Sequence, residues 1–227
     1  MASPRQEKRT AMKFSAPVRI ALFALAALGL ASTAARAHPH VWVTLNSELV
    51  FGSDGTVAAV RHAWTFDEMF SAFATQGLDK DNDGKLSREE LRELAEVNVT
   101  SLEEFNYFSA AKNAGKDVAF DKPKDYWLEA DKDNVLTLHF TLPLKAKAEK
   151  GEFTVDVYDP TFFVDLSFAD GTVVKLDGAP AGCTAEVKKP QSQGTAQTNL
   201  SESFFNSLSA SSQFGSQFAN RITLRCK

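Results

Sequence analysis

A run of twelve residues, Asp79 to Glu90, constrains this chain more than any other stretch of its sequence. Carboxylate side chains occupy its first, third, fifth and last positions, a glycine stands at the sixth and a serine at the ninth. Ca²⁺ takes six to eight oxygen ligands, and an EF-hand loop supplies them from these positions and from the backbone carbonyl of the seventh. The spacing therefore predicts an EF-hand Ca²⁺ site with side-chain ligands from Asp79, Asp81, Asp83, Ser87 and Glu90, and a backbone ligand from Lys85.

The segments on both sides of this loop carry apolar residues at helical spacing. One pattern runs from Thr65 to Leu78, and a second begins at Ser87 and continues through Leu91 and Leu94. Apolar residues that recur every three or four positions indicate an amphipathic helix. The sequence therefore predicts a helix–loop–helix insertion over about residues 66–101. An acidic surface turn is the alternative interpretation, because Asp, Asn and Gly also favour turns.

The N-terminal region has the pattern of a secretory signal peptide. Several basic residues precede an apolar run from Ile20 to Ala31, and small residues at Ala35 and Ala37 frame a cleavage position. The run is shorter than the roughly 20 residues that a membrane-spanning helix needs. We expect cleavage after Ala37, which removes residues 1–37 and leaves residues 38–227 as a single exported domain that does not span a membrane.

The charge of the exported part narrows the classes of partner. Residues 1–37 contain six of the 25 basic residues and one of the 29 acidic residues, so the remainder carries a net charge of −9. Nucleic acids and anionic lipids attract basic surfaces. We therefore expect neither as a partner, whereas metal ions are compatible with this balance.

The chain has two cysteines, Cys183 and Cys226. An exported protein with an even number of cysteines usually joins them, because disulfides persist in oxidising compartments. We expect a disulfide bond between them; a pair of unlinked thiols is the alternative.

Short runs of β-branched and aromatic residues recur along the chain between turns rich in Gly and Asp, which is typical of a β-sandwich or barrel. The predicted strands cover residues 41–51, 56–65, 104–112, 118–120, 126–129, 135–142, 153–158, 161–168, 172–176, 185–187 and 221–226. The predicted fold class is α+β, an antiparallel β-sandwich-like domain with the helix–loop–helix inserted. A flexible connector is predicted over about residues 188–203, followed by a weak helix over about 202–209.

Four stretches together resemble one bacterial family: His38–Val43, Trp64–Phe70, Leu138–Leu144 and Tyr158–Asp165. The family is DUF1007, described as the periplasmic component of an uncharacterised ABC-type transport system. The resemblance covers nearly the whole exported part. It implies a periplasmic location and an association with transition-metal transport, because relatives tend to be encoded beside nickel/cobalt permeases. A membrane metal permease or ABC-type transporter is the partner that the resemblance implies.

Histidines are the candidate ligands for a transition metal. Cleavage at the predicted position would make His38 the N-terminal residue, so its amine and ring could chelate one ion together with His40. Nitrogen ligands suit Ni²⁺, Co²⁺, Cu²⁺ or Zn²⁺ better than Ca²⁺. His62 and His139 could complete such a site, although each lies in a predicted strand, where a hydrogen-bonded structural histidine is the alternative.

No motif of nucleophilic catalysis or phosphate binding occurs, so we do not expect an enzyme. The favoured function is a periplasmic metal-handling accessory or binding protein, associated with transition-metal transport, with Ca²⁺ in one EF-hand. The alternative is a Ca²⁺-stabilised periplasmic module that binds another protein through its apolar helix faces and has no transition-metal role.

Overall fold

The computed structural model describes residues 40–148, 151–161, 163–190 and 219–226. Within them, the strands are β1 (Val41–Phe51), β2 (Val57–Phe66), β3 (Ser109–Asn113), β4 (Lys116–Val118), β5 (Lys124–Ala130), β6 (Leu136–Pro143), β7 (Phe153–Val157), β8 (Val164–Phe168), β9 (Val174–Asp177), β10 (Cys183–Lys188) and β11 (Asn220–Cys226). The helices are α1 (Glu68–Ala74) and α2 (Arg92–Leu102), and a 3-10 segment covers Glu103–Phe108. The chain is therefore mostly β-sheet, as predicted.

The first sheet has the strand order β5-β6-β2-β1-β8, and β9 also pairs with β1. Along β1 the side chains alternate: Val41, Val43 and Leu45 are buried, whereas Trp42 and Thr44 are exposed. Successive side chains of a strand point to opposite faces, so this alternation gives the sheet one core face and one solvent face.

The second sheet has the order β10-β11-β7-β3-β4. Its buried side chains, including Val155 and Ile222, belong to the same hydrophobic cluster as Trp64 and Phe140 of the first sheet. The two sheets therefore share one core. Cys183 and Cys226 face each other in the β10–β11 register and form the predicted disulfide bond.

The fully buried Asn220 side chain links the two sheets. Its amide nitrogen donates to the backbone carbonyls of Val157 and Leu166, and its oxygen accepts from the amide of Phe168 at 3.2 Å. Val157 lies in β7, whereas Leu166 and Phe168 lie in β8 of the other sheet. Buried polar groups need hydrogen-bond partners, and this one side chain provides them for backbone groups of both sheets.

The prediction of antiparallel pairing was wrong for two strands of the first sheet. Strands β8 and β9 both run parallel to β1, with Val41 opposite Val164 and Ser47 opposite Val174. The Asp170-Gly171 turn between them does not reverse the chain, because both strands continue along the same edge of β1. The amide of Ala169 bonds to Leu45 and the carbonyl of Val173 bonds to Ser47, which holds this excursion against β1.

Two helices flank the acidic loop, but they are shorter than the predicted patterns. Helix α1 is capped by Asp67, whose carboxylate accepts from the amide of Phe70 at 2.8 Å. Residues 88–91 form a turn, and regular helix begins only at Arg92 rather than at Ser87. Leu91, Ala95 and Val99 are buried, so one face of α2 packs into the core.

The predicted strand over residues 104–112 was wrong in its first half, where the structure has the 3-10 segment. Asn106, Tyr107 and Phe108 have positive φ values. Tyr107 and Phe108 are neighbours and both are buried, whereas a regular strand would turn one of them outward. The predicted strand over residues 41–51 matches β1 in its bounds, and the other predicted strands differ from the observed ones by a few residues at their ends. Within the described ranges, no helix has the length and apolar character needed to cross a membrane.

Several predictions concern residues outside the described ranges. These are the signal peptide over residues 1–37, His38, the part of the connector beyond residue 190 and the weak helix over about 202–209.

Candidate metal centre

Three carboxylates converge in the loop between the helices. One oxygen from each of Asp79, Asp81 and Asp83 lies within 4.8 Å of the other two. Their charges repel one another at this distance, so a cation placed between them would relieve the repulsion. The structure thus brings together the three residues that the sequence placed at the first, third and fifth loop positions.

The backbone of the loop turns around these carboxylates. Asp79 accepts hydrogen bonds from the amides of Asp83 at 3.2 Å and Gly84 at 3.0 Å. Asp83 accepts from the amide of Lys85 at 2.8 Å, which positions the residue predicted to offer its carbonyl. Gly84 has φ +79°, a left-handed conformation that costs glycine little, so the predicted reason for a glycine at this position is confirmed.

Glu90 closes the loop. Its Oε1 accepts from the amide of Lys80 at 2.7 Å, and its Oε2 accepts from the amide and hydroxyl of Ser87 at 2.9 and 2.8 Å. These bonds, led by those from Ser87, lower the pKa of Glu90 to about 2. The carboxylate is therefore ionised at neutral pH and is directed toward the opposite end of the loop.

The donor set is chemically suited to Ca²⁺. It consists of carboxylate, hydroxyl and backbone carbonyl oxygens, which hard cations prefer, and the loop contains no nitrogen or sulfur ligand that would favour a transition metal. Leu78 precedes the loop and Leu86 lies within it, and both pack against the hydrophobic core. The core therefore anchors the loop at two points.

A cluster on the first sheet contacts the second half of the loop. The Arg88 guanidinium lies 4.9 Å from the centre of the Trp127 ring, and its Nη2 lies 3.5 Å from Oε2 of Glu129. Oε1 of Glu129 lies 3.0 Å from Nε2 of His139, whose ring stacks on Trp127 with centres 4.5 Å apart. Sequence reasoning missed Arg88, Trp127 and Glu129, because no local pattern shows that residues about forty positions apart will meet.

Comparison with known proteins places the chain in a family. The family described as "Protein of unknown function (DUF1007)" matches residues 23–226. The chain belongs to the DUF1007 family. An uncharacterized protein of Haemophilus influenzae is 25% identical to it over 193 residues, which cover 84% of this chain and 92% of that relative.

In this DUF1007 protein His62 is a core residue, with 1% of its surface exposed. Its Nδ1 lies 2.9 Å from the Ser47 hydroxyl and its Nε2 lies 3.3 Å from the Ser109 hydroxyl. The Ser109 hydroxyl donates to the carbonyl of Tyr107 at 2.9 Å, so its oxygen is left to accept from Nε2–H. His62 is thus the neutral Nε2–H tautomer, and desolvation lowers its pKa to about 3.

The structure does not gather the described histidines of the DUF1007 protein into one ligand set. His62 faces the core. His139 is paired with Ala63, the residue after His62, and therefore lies on the outer face of the same sheet. His40 precedes β1, where its ring packs at a tilt against the Phe163 ring with centres 4.7 Å apart. In the described part of the chain, one group of three potential metal-binding side chains lies close together, and it consists of Asp79, Asp81 and Asp83.

Proposed function

We propose that this protein is an exported Ca²⁺-binding protein in which the loop of residues 79–90 holds the ion as an EF-hand. The observation that carries this proposal is the convergence of Asp79, Asp81 and Asp83, opposite the ionised Glu90 that reaches across the loop to Lys80. Four carboxylates arranged around one point form the kind of ligand set that binds Ca²⁺.

The ion would serve as a structural staple. The loop joins α1 and α2, and Leu78 and Leu86 attach it to the core, so filling it would hold both helices to the sheet. Extracellular Ca²⁺ modules typically have dissociation constants of about 10⁻⁴–10⁻³ M. A site of that affinity would stay occupied in a calcium-containing compartment rather than act as a switch.

A periplasmic location belongs to this proposal. The N-terminal pattern of basic and apolar residues and the Cys183–Cys226 disulfide support it, because disulfides are stable outside the cytoplasm.

Calorimetric titration of CaCl₂ into residues 38–227 tests the Ca²⁺ site. Glu90→Gln removes one charge from the closing ligand and should weaken binding at least about tenfold. The control is Glu89→Gln, which removes the same charge from a neighbour whose carboxylate pairs with Arg92 outside the ligand set. An absence of heat from the unmodified chain at millimolar Ca²⁺ would overturn the proposal.

We also propose an accessory role in transition-metal transport, as the family resemblance implies, with His38 and His40 as ligands at the N-terminus. The exposed position of His40 immediately before β1 supports this proposal. Titration with NiCl₂, CoCl₂, CuCl₂ and ZnCl₂ should show binding that His40→Ala weakens and His62→Gln leaves unchanged. If the His40→Ala variant binds these ions as tightly as the unmodified chain, the proposed N-terminal site is wrong.

The alternative function is a Ca²⁺-stabilised module that binds another protein, and one observation favours it. Met69 and Phe73 lie one turn apart on α1, and the two residues are 75% and 73% exposed. Exposed apolar side chains of this size can mark a binding surface. If a partner uses this face, Met69→Lys and Phe73→Lys should abolish its capture by the Ca²⁺-loaded protein without changing Ca²⁺ affinity.

A further inference from the structure

Arg88 reaches from the loop to the edge of the first sheet. It stands at the tenth loop position, two residues before Glu90 and next to Ser87, whose hydroxyl holds Glu90. Its guanidinium contacts the face of Trp127 and the carboxylate of Glu129, both on the edge strand β5. One side chain thus joins the part of the loop that carries the closing ligand to a strand about forty residues further along the chain.

The partners of Arg88 are themselves held in place. Stacking against His139 fixes the Trp127 ring, and the hydrogen bond with His139 fixes Glu129. Partial burial alone would raise the pKa of Glu129, but its bonds with His139 and Arg88 outweigh that effect and the pKa is lowered. The guanidinium therefore meets an ionised carboxylate and an oriented ring.

We propose that Arg88 is a positioning residue that couples Ca²⁺ binding in the loop to strand β5 through Trp127 and Glu129. This inference rests on the proposed Ca²⁺ site. Holding the backbone of residues 87–90 against β5 keeps Glu90 ready to bind before the ion arrives. Linkage requires the reverse effect as well, so bound Ca²⁺ strengthens the contact of Arg88 with Trp127.

Simple electrostatics predicts that the removal of Arg88 would have the opposite effect on Ca²⁺ affinity. A cationic side chain near the loop repels Ca²⁺, so its removal should tighten binding if charge alone matters. Arg92 supplies a matched control, because it is an exposed arginine one turn further along whose ion pair is with Glu89. Arg88→Gln and Arg92→Gln remove the same charge, but only the first removes the contacts of a guanidinium with Trp127 and Glu129.

The test compares CaCl₂ titrations of these two variants and the unmodified chain of residues 38–227. We expect Arg88→Gln to bind Ca²⁺ about three- to fivefold more weakly than Arg92→Gln, the size of one exposed cation–π contact with its ion pair. Equal or tighter binding by Arg88→Gln overturns the inference and leaves the Ca²⁺ site standing. No binding by the unmodified chain overturns the Ca²⁺ site itself.

Two further readouts separate coupling from a general structural effect. Glu129→Gln should also weaken Ca²⁺ binding, and the double variant with Arg88→Gln should bind no more weakly than Arg88→Gln alone. Tryptophan emission should change when Ca²⁺ is added, and Trp127→Phe or Arg88→Gln should remove that change. Additive losses, or an emission change that survives Trp127→Phe, would contradict the proposed connection.

Discussion

Nδ1 of His62 accepts a hydrogen bond from the Ser47 hydroxyl across 2.9 Å, at a cross-strand pair of β1 and β2 that faces the core. On its other side the ring reaches Ser109 of the second sheet. The aromatic rings of Trp64 and Phe140 pack around it, and no charged group contacts it among the described residues. A neutral imidazole therefore bridges the two layers.

Stability should fall in mild acid because of His62. Its folded pKa of about 3 lies below the 6.5 that is usual for an exposed histidine, so the unfolded chain binds more protons between these two pH values. The free energy of unfolding should decrease as pH falls below 6.5, by about 1.4 kcal/mol per pH unit and roughly 2 kcal/mol by pH 5. Urea unfolding at pH 7, 6 and 5 measures this loss. His62→Gln should remove most of the slope, and an unchanged slope would assign it to other groups.

Loss of the Asn220 side chain should destabilise the contact between the sheets. Asn220→Ala leaves the buried amide of Phe168 and the carbonyl of Leu166 without their partner, which costs about 2–4 kcal/mol. Asn46 is exposed on β1, so Asn46→Ala should change stability by less than about 0.5 kcal/mol. Equal unfolding midpoints in urea for the two variants would contradict the role of Asn220.

Reduction of the disulfide should weaken the edge of the second sheet. The bond closes a loop with a sequence separation of 43, which is worth about 4 kcal/mol on the chain-entropy model. The double variant Cys183→Ser and Cys226→Ser should lose that stability and should no longer respond to dithiothreitol. Hydrogen exchange should show the loss first in β10, which lies at the end of the second sheet and, among the described strands of that sheet, pairs with β11 alone. Equal protection of β10 with and without the bond would refute this.

Charge removal in the loop should have opposite effects with and without Ca²⁺. Asp81→Asn reduces repulsion among the three aspartates, so in EGTA the variant should be as stable as the unmodified chain or slightly more stable. A Ca²⁺ concentration of 100 times the dissociation constant should stabilise the unmodified chain by about 2.7 kcal/mol, and the variant by clearly less. Asp133→Asn, in a turn outside the loop, is the control and should keep the full Ca²⁺ effect. Thermal melts of the three proteins in EGTA and in 10 mM CaCl₂ give all six values.

The strands were predictable where the local pattern decides the structure. The run Val41–Phe51 was predicted with its observed bounds, because its β-branched and aromatic residues and partial alternation indicate a strand. The direction of β8 and β9 was not predictable, since a turn such as Asp170-Gly171 is compatible with reversal or with continuation. The burial of both Tyr107 and Phe108 was not predictable either, because their positive φ values end the alternation that a regular strand would show.

The candidate loop was predictable for a similar reason. Its acidic residues lie within twelve consecutive positions, and their convergence follows from local turns. Its connection to Arg88, Trp127 and Glu129 depends on tertiary packing, which the sequence alone does not reveal. The separation of His62 from His139 likewise depends on register, because adjacent positions in paired strands face opposite sides of a sheet.

The parallel pairing of β1 with β8 and β9 has a consequence for how the chain matures. Ribosomes make a protein from its N-terminus, so β1 exists long before residues 164–177 that cover one of its edges. Until those residues arrive, the polar backbone groups on that edge of β1 are open to pairing with other chains. Contacts of such long range also slow folding. The newly made polypeptide should therefore stay unfolded through most of its synthesis, which is the condition that the proposed export through a narrow channel would require.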